Sequence, residues 1–275
     1  MSGIMMPYLS ALGQMGNAIA AIPNLTLWYN ASASTTTVNN VTQDNFDIAV
    51  VNGTRVGQWK DLSGLGHAAN VNGGVSRKPA YAIPIQNSLG AVSYTSSNNE
   101  NFDINPISWL SPAPSGISGL TVYVMARPTV LPVTAFPLVV TDTSIGLWWN
   151  GTNWSVGVTA GNRGTVTLTN DTTKFHIYGF VFDGSQTGNA NRVKFRYERA
   201  EKTLTFTGTI PASTGTVNDY FYFGGNNRSG VAGGALSNTF MDGYIGEVLI
   251  WTRTLSSSEI VTVESYLNSK WGLTL

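Results

Sequence analysis

From Leu25 almost to the end, the chain is written in short apolar runs rich in Val, Ile, Phe, Tyr and Trp, cut by Gly, Pro, Asn and Ser. Runs of that length and residue type form strands, and the residues between them make turns, so the pattern predicts a mostly β fold. Three segments sharpen it. In SIGLWWNGTNWSVGV, Ile145, Leu147 and Trp149 share one face, Asn150-Gly151 reads as the turn, and Trp154, Val156 and Val158 return on one face, with Trp148 pointing the other way. In KFHIYGFVFDG both faces are apolar, which predicts a central strand covered on both sides. In NRVKFRYERAEK, Val193, Phe195 and Tyr197 alternate with Lys194, Arg196 and Glu198, the mark of a strand with one wet face. Together these describe two packed sheets.

The end of the chain changes period. Ser256 and Glu259 are spaced as a capping box, Leu255 and Ile260 as the staple around it, and Ile260, Val263, Leu267 and Trp271 then recur along one helical stripe before Gly272. A helix over 256–271 lying against the sandwich is expected. No fixed-period repeat or long linker interrupts residues 24–275, which read as one domain.

Composition narrows the partners. Charged residues make up 11% of the chain, 15 basic against 15 acidic, so no net field draws it to nucleic acid or to an anionic membrane. The absence of cysteine excludes disulfides, thiolate metal sites and a cysteine nucleophile. The first 43 residues carry no Asp, Glu, Lys, Arg or His. They lack the basic start of a secretory signal, and Pro7, Gly13 and Gly16 break any membrane-length apolar run. Residues 1–23 are therefore expected to form an uncharged, partly helical arm, packed on its own domain or on a neighbouring subunit.

The segments around Trp59, Asp61, Ser63 and Gly66, the strand LTVYVMARP, and the terminal DGYIGEVLIWTRTLSSSEIVTVESYLNSKWGL resemble the laminin-G-like branch of concanavalin A-like domains. The resemblance implies a two-sheet antiparallel jelly roll with a C-terminal helix, a fold found in bacterial surface proteins and bacteriophage virion proteins. It gives structural roles to Trp59, Asp61, Glu247, Ser256, Glu259 and Trp271. With the uncharged arm, it points to a non-enzymatic virion structural protein on the particle surface, in the head, a spike or the tail. Such a protein would be oligomeric, joined to other virion proteins through the arm, and able to touch host polysaccharide. The alternative of a different class is a soluble carbohydrate-binding module or degenerate glycosidase.

Catalytic chemistry finds little support in the residues. A retaining glycosidase needs two carboxylates about 5 Å apart, commonly presented at alternating positions of one strand, and no such string occurs. Glu247, placed by alternation with Ile245, Leu249 and Trp251, and Glu198, beside Arg196 and Arg199, read as isolated strand carboxylates; Glu247 is expected to satisfy buried polar groups. His67 and His176 are read as structural, without the partners of a triad or zinc site. Residues 183–191 offer oxygen ligands that calcium could use, although a hairpin loop is the simpler reading. For glycan contact the candidates are Trp148 and Trp154, as aromatic faces, and Asn226, Asn227 and Arg228, as hydrogen-bonding groups in a Gly-rich turn.

Overall fold

The computed structural model describes residues 16–33, 35–38, 41–71, 75–105, 107, 109, 116–130, 135–141, 145–159, 161–169, 171–215, 220–226 and 239–275. Strands are numbered in chain order. One sheet runs from edge to edge through Ala200–Lys202 (β16), Val193–Tyr197 (β15), His176–Asp183 (β14), Gly119–Pro128 (β9), Gly243–Trp251 (β21), Leu89–Tyr94 (β7) and Ala80–Gln86 (β6), with Leu25–Asn30 (β1) also paired to β21. The second runs through Thr205–Thr207 (β17), Asn162–Thr167 (β13), Asn153–Thr159 (β12), Gly146–Asn150 (β11), Ala135–Thr141 (β10), Phe221–Phe223 (β18), Phe102–Ile104 (β8), Ala69–Asn70 (β5) and Gln58–Trp59 (β4). Two ribbons complete the strands, Thr35–Val38 (β2) with Val41–Asp44 (β3), and Gly225–Asn226 (β19) with Thr239–Phe240 (β20). All described pairings are antiparallel, and the fold is a jelly-roll sandwich flanked by the helix Ser257–Lys270 (α3). A single helical turn, Asn189–Arg192 (α2), precedes β15, and residues 16–20 form α1.

The inner faces of the sheets share one aromatic-rich core. Trp59 is fully buried against Tyr29, Phe46, Phe102 and Phe223 at one end, while Trp149 and Trp154 stack toward Tyr178 and Phe195 at the other. A second apolar layer lies on the far side of the first sheet, where α3 and α1 cover Trp28, Tyr123, Phe175, Leu249 and Trp251. This explains β14: Tyr178, Phe180 and Phe182 face the second sheet, whereas Phe175, just before the strand, and Ile177 face the helices. Ile19 and Ile22 belong to this outer layer, so residues 16–22 of the expected arm pack on their own domain; residues 1–15 lie outside the described residues.

At three places the structure departs from the sequence pattern. The hairpin β11–β12 pairs Asn150 with Asn153, so its tip is Gly151-Thr152 rather than Asn150-Gly151; Gly151 takes the left-handed φ of 63°. The face of β15 bearing Arg196 is not simply wet, because α3 lies over it and Glu264 takes the guanidinium at 2.5 and 3.0 Å. Glu198 is not a strand residue: with Arg199 it forms the two-residue turn between β15 and β16, both at left-handed φ, 53° and 65°.

A β-bulge in β21 redirects Glu247. The register with β9 shifts between Ile245 and Glu247, so Ile245 and Val248 both face the second sheet, and Glu247, Leu249 and Trp251 face α3. Regular alternation would have kept Glu247 with Ile245; the extra residue, Gly246, separates them. α3 opens on the expected box, with Glu259 N–H donating to Ser256 Oγ and Ser256 N–H donating to Glu259 Oε2. Arg253 pairs with Glu259 at 2.6 Å, and that hydrogen bond holds the Glu259 carboxyl down to about 2.

Candidate functional site

The outer face of the second sheet is built by alternation. Because Phe102, Ile104, Phe221, Phe223, Leu147 and Trp149 point into the core, Asp103, Tyr222 and Trp148 point away from it. Cross-strand register then sets Gln58, Asn70, Asp103 and Tyr222 in one row, with Gln58 Nε2 donating to Asn70 Oδ1 at 2.8 Å. Trp148 and Tyr222 form a small aromatic cluster on this face with Tyr220, whose ring stacks on Tyr222 at 5.9 Å. Farther along, Ser155, Thr165 and Thr205 continue the face as hydroxyls, and Asn153, Thr165, Thr167 and Thr205 line a hollow of about 430 Å³. The charged side chains that register places on these rows, among the described residues, are Arg163 and Asp103.

Asp103 is the chemically unusual member. It is 6% exposed, burial pushes its carboxyl up to about 6, and no hydrogen-bond donor among the described residues reaches it. Two positions earlier Asn101 is fully buried with neither amide atom bonded. Buried polar groups are ordinarily paired, so the unbonded Asn101 amide, with a desolvated carboxyl two residues on, marks a place where polar partners are wanted. Neither was singled out from the sequence; the readable signal was the alternation of NFDI, polar against apolar.

The residues expected to contact glycan divide. Trp148 does lie on the outer face, but it is 4% exposed and packs beside Tyr222. Trp154 does not: it is fully buried, stacked 4.2 Å from Tyr178 and paired across the hairpin with Trp149, so its ring cannot meet a ligand, because alternation turns it into the core. Asn226 pairs with Thr239 just beyond β18, which carries Tyr222. Asn227 and Arg228 lie outside the described residues.

The remaining candidates sit in structural polar networks. Asp61 accepts the backbone N–H groups of Trp28, Ser63 and His67 at 3.0, 2.9 and 3.1 Å, tying the Gly-rich turn to β1. His67 lies against Trp109, with ring centroids 5.8 Å apart, and its carbonyl accepts the Tyr29 hydroxyl. His176 is buried between Glu198 Oε1, 2.9 Å from Nδ1, and the Asp171 carbonyl, 2.7 Å from Nε2. In residues 183–191, Asp183 accepts from the N–H and Oγ of Ser185 and from Gln186 Nε2; no group of three or more acidic or imidazole ligands occurs among the described residues. Glu247 is fully buried under α3 and accepts from Trp28 Nε1 (2.8 Å), Tyr266 Oη (2.6 Å), Lys270 Nζ (2.7 Å) and Trp271 Nε1 (3.2 Å). Lys270 and Tyr266, one helical turn apart, are buried polar residues that the apolar-stripe reading of α3 passed over.

No protein-family model and no curated relative matches the chain. Among solved structures it is similar to a Trypanosoma rangeli sialidase in complex with sialic acid (TM-score 0.53, 13% identity, 98% of this chain against 39% of that one). It is also similar to the binding domain of botulinum neurotoxin DC in complex with rat synaptotagmin II (TM-score 0.52, 9% identity, 89% against 52%) and to the botulinum neurotoxin serotype G binding domain (0.53, 13%, 90% against 54%). The chain thus spans from about two fifths to just over half of these proteins, and the likeness establishes the sandwich fold.

Proposed function

We propose that this chain is a non-enzymatic, glycan-contacting sandwich on the surface of a bacteriophage particle, with the outer face of the second sheet turned toward host polysaccharide. The observation that carries the glycan part is the row in which Tyr222 and Tyr220, the desolvated carboxyl of Asp103 and the amides of Asn70 and Gln58 lie side by side, continued by threonine hydroxyls. Sugars are held by that combination, aromatic carbon against C–H faces and acceptors and donors against hydroxyls. The near absence of charge on the rows favours a neutral glycan. Among the described residues of these rows Asp103 is the one carboxylate, which favours binding over the paired-carboxylate chemistry of glycosidases. Structural neighbours solved with sialic acid or with synaptotagmin II support the sandwich as a scaffold for recognition.

The virion part rests on the laminin-G-like resemblance and on the uncharged N-terminal segment, which we assign to contacts with other virion proteins and further copies of the chain. Since Ile19 and Ile22 are built into the domain, the assembly contact is assigned to residues 1–15. Glycan-array binding by the full chain, lost in Asp103→Ala and Tyr220→Ala while circular dichroism is unchanged, is the expected result. Silence of the intact protein across host surface polysaccharides at high concentration would refute the glycan reading. A chain lacking residues 1–15 should fold and fail to enter particles; normal incorporation would refute the assignment of the assembly contact to that segment, whereas a full-length chain that binds glycan and is absent from purified particles would favour a free-standing carbohydrate-binding module.

A further inference from the structure

Lys270, Asn30 and Glu247 meet in the layer between α3 and the first sheet, far in purpose from the outer-face site. Asn30 and Glu247 are register partners on β1 and β21, and Lys270 reaches them from the last turn of α3. Its Nζ lies 2.9 Å from Asn30 Oδ1 and 2.7 Å from Glu247 Oε2. With a C=O bond near 1.2 Å, the Asn30 Cγ is within about 4.1 Å of that nitrogen, less than 1 Å beyond a near-attack separation. All three side chains are buried, at 5%, 3% and 0% exposure.

The surroundings suit acyl transfer from a carboxamide to an amine. The Ser32 N–H donates to the same Asn30 Oδ1 at 2.9 Å, where it polarises the carbonyl and faces the oxygen on which charge develops. Asn30 Nδ2, the group that would leave, donates to Thr36 Oγ1 at 2.8 Å. Burial pushes the Lys270 amine down from its ordinary range, toward the neutral nucleophilic form. The Glu247 carboxylate is fixed beside the amine by Trp28, Tyr266 and Trp271, and the aromatic walls keep water from competing.

We propose that Lys270 and Asn30 join in an intramolecular isopeptide bond, with Glu247 as the proton carrier. The Nζ lone pair attacks Asn30 Cγ; Glu247 takes a proton from Nζ and delivers it to Nδ2; the Cγ–Nδ2 bond breaks, ammonia leaves, and the Cγ–Nζ amide remains. No oxidant or other co-reactant enters. The bond ties β1 to the end of α3 across 240 positions of a chain without cysteine, giving it a covalent clamp that does not depend on redox conditions.

The test uses the full-length protein, denatured and analysed by intact mass and by tryptic peptide mapping. The expected mass is below that of the sequence by one ammonia, with no cleavage after Lys270 and a branched peptide joining the segments that contain Asn30 and Lys270. Lys270→Arg, Asn30→Ala and Glu247→Gln should each abolish the branched peptide. A full-mass protein cleaved freely after Lys270 overturns the proposal, leaving a noncovalent ion pair. Loss of ammonia confined to a linear peptide, as from a succinimide at an asparagine, overturns it as well. The wild-type measurement decides the matter even where a variant fails to fold.

Discussion

Gly246→Ala tests whether the β21 bulge and the end of α3 are fitted to each other. A Cβ at this position would lie 2.1 Å from Cη2, 2.3 Å from Cζ2 and 2.9 Å from Cζ3 of Trp271. Carbon atoms rest near 3.5 Å, so the indole must retreat by about 1.4 Å. It has little freedom to do so: Trp271 is fully buried, stacked on Phe175 with centroids 4.9 Å apart, and bonded through Nε1 to Glu247. Overpacking of this kind costs about 1 to 3 kcal/mol, and disturbing the buried hydrogen bond adds about 1 kcal/mol, for an expected loss of about 2 to 4 kcal/mol. Trp271→Ala alone should cost about 3 to 5 kcal/mol. In that background the methyl group of Gly246→Ala has room, so its penalty should fall below about 0.5 kcal/mol, leaving a coupling of about 2 kcal/mol in the double-mutant cycle. Urea unfolding followed by circular dichroism, at one pH and protein concentration, measures all four corners. A Gly246→Ala cost under about 0.5 kcal/mol, or an equal cost with and without the indole, would refute the fit.

Three further outcomes follow from the same structure. Trp154→Ala should lower stability by about 3 to 5 kcal/mol in urea melts, because the ring is core; if it instead leaves stability intact and abolishes glycan binding, the inward assignment fails. Ser256→Ala should cost about 1 kcal/mol by removing the cap of α3, and an unchanged melting temperature would contradict that role. For Asp103 the sign is set by the raised carboxyl: the folded state keeps a proton to about pH 6 that the unfolded chain releases near 3.8. Its contribution is then fully present below about pH 4 and lost as pH rises to 6, so wild type should lose stability relative to Asp103→Asn across that window; parallel urea midpoints at pH 4, 5 and 6.5 would exclude the effect.

Much of the scaffold was legible along the chain. Local chemistry set the capping box of α3, the alternation of β12 and the doubly apolar β14, since each depends on neighbours within a few residues. The candidate site was legible only in fragments. Trp148 was correctly turned outward by alternation, but its neighbour Tyr222, and Asp103 opposite Tyr222, come from strands distant in the chain, and only the sheet order brings them to one face. Glu247 shows the limit of alternation: one inserted residue, Gly246, reverses the face on which it lies.

By itself the sequence determined the class of fold, the position of the C-terminal helix and the balance of charge, because period, capping and composition are local or additive properties. The tertiary structure alone decided which polar residues share a space: Gln58, Asn70 and Asp103 in one exposed-face row, and Asn30, Glu247 and Lys270 in one buried cluster. Those groupings depend on strand order, on a bulge and on where α3 docks, and each of these is fixed by long-range packing that no window of sequence contains.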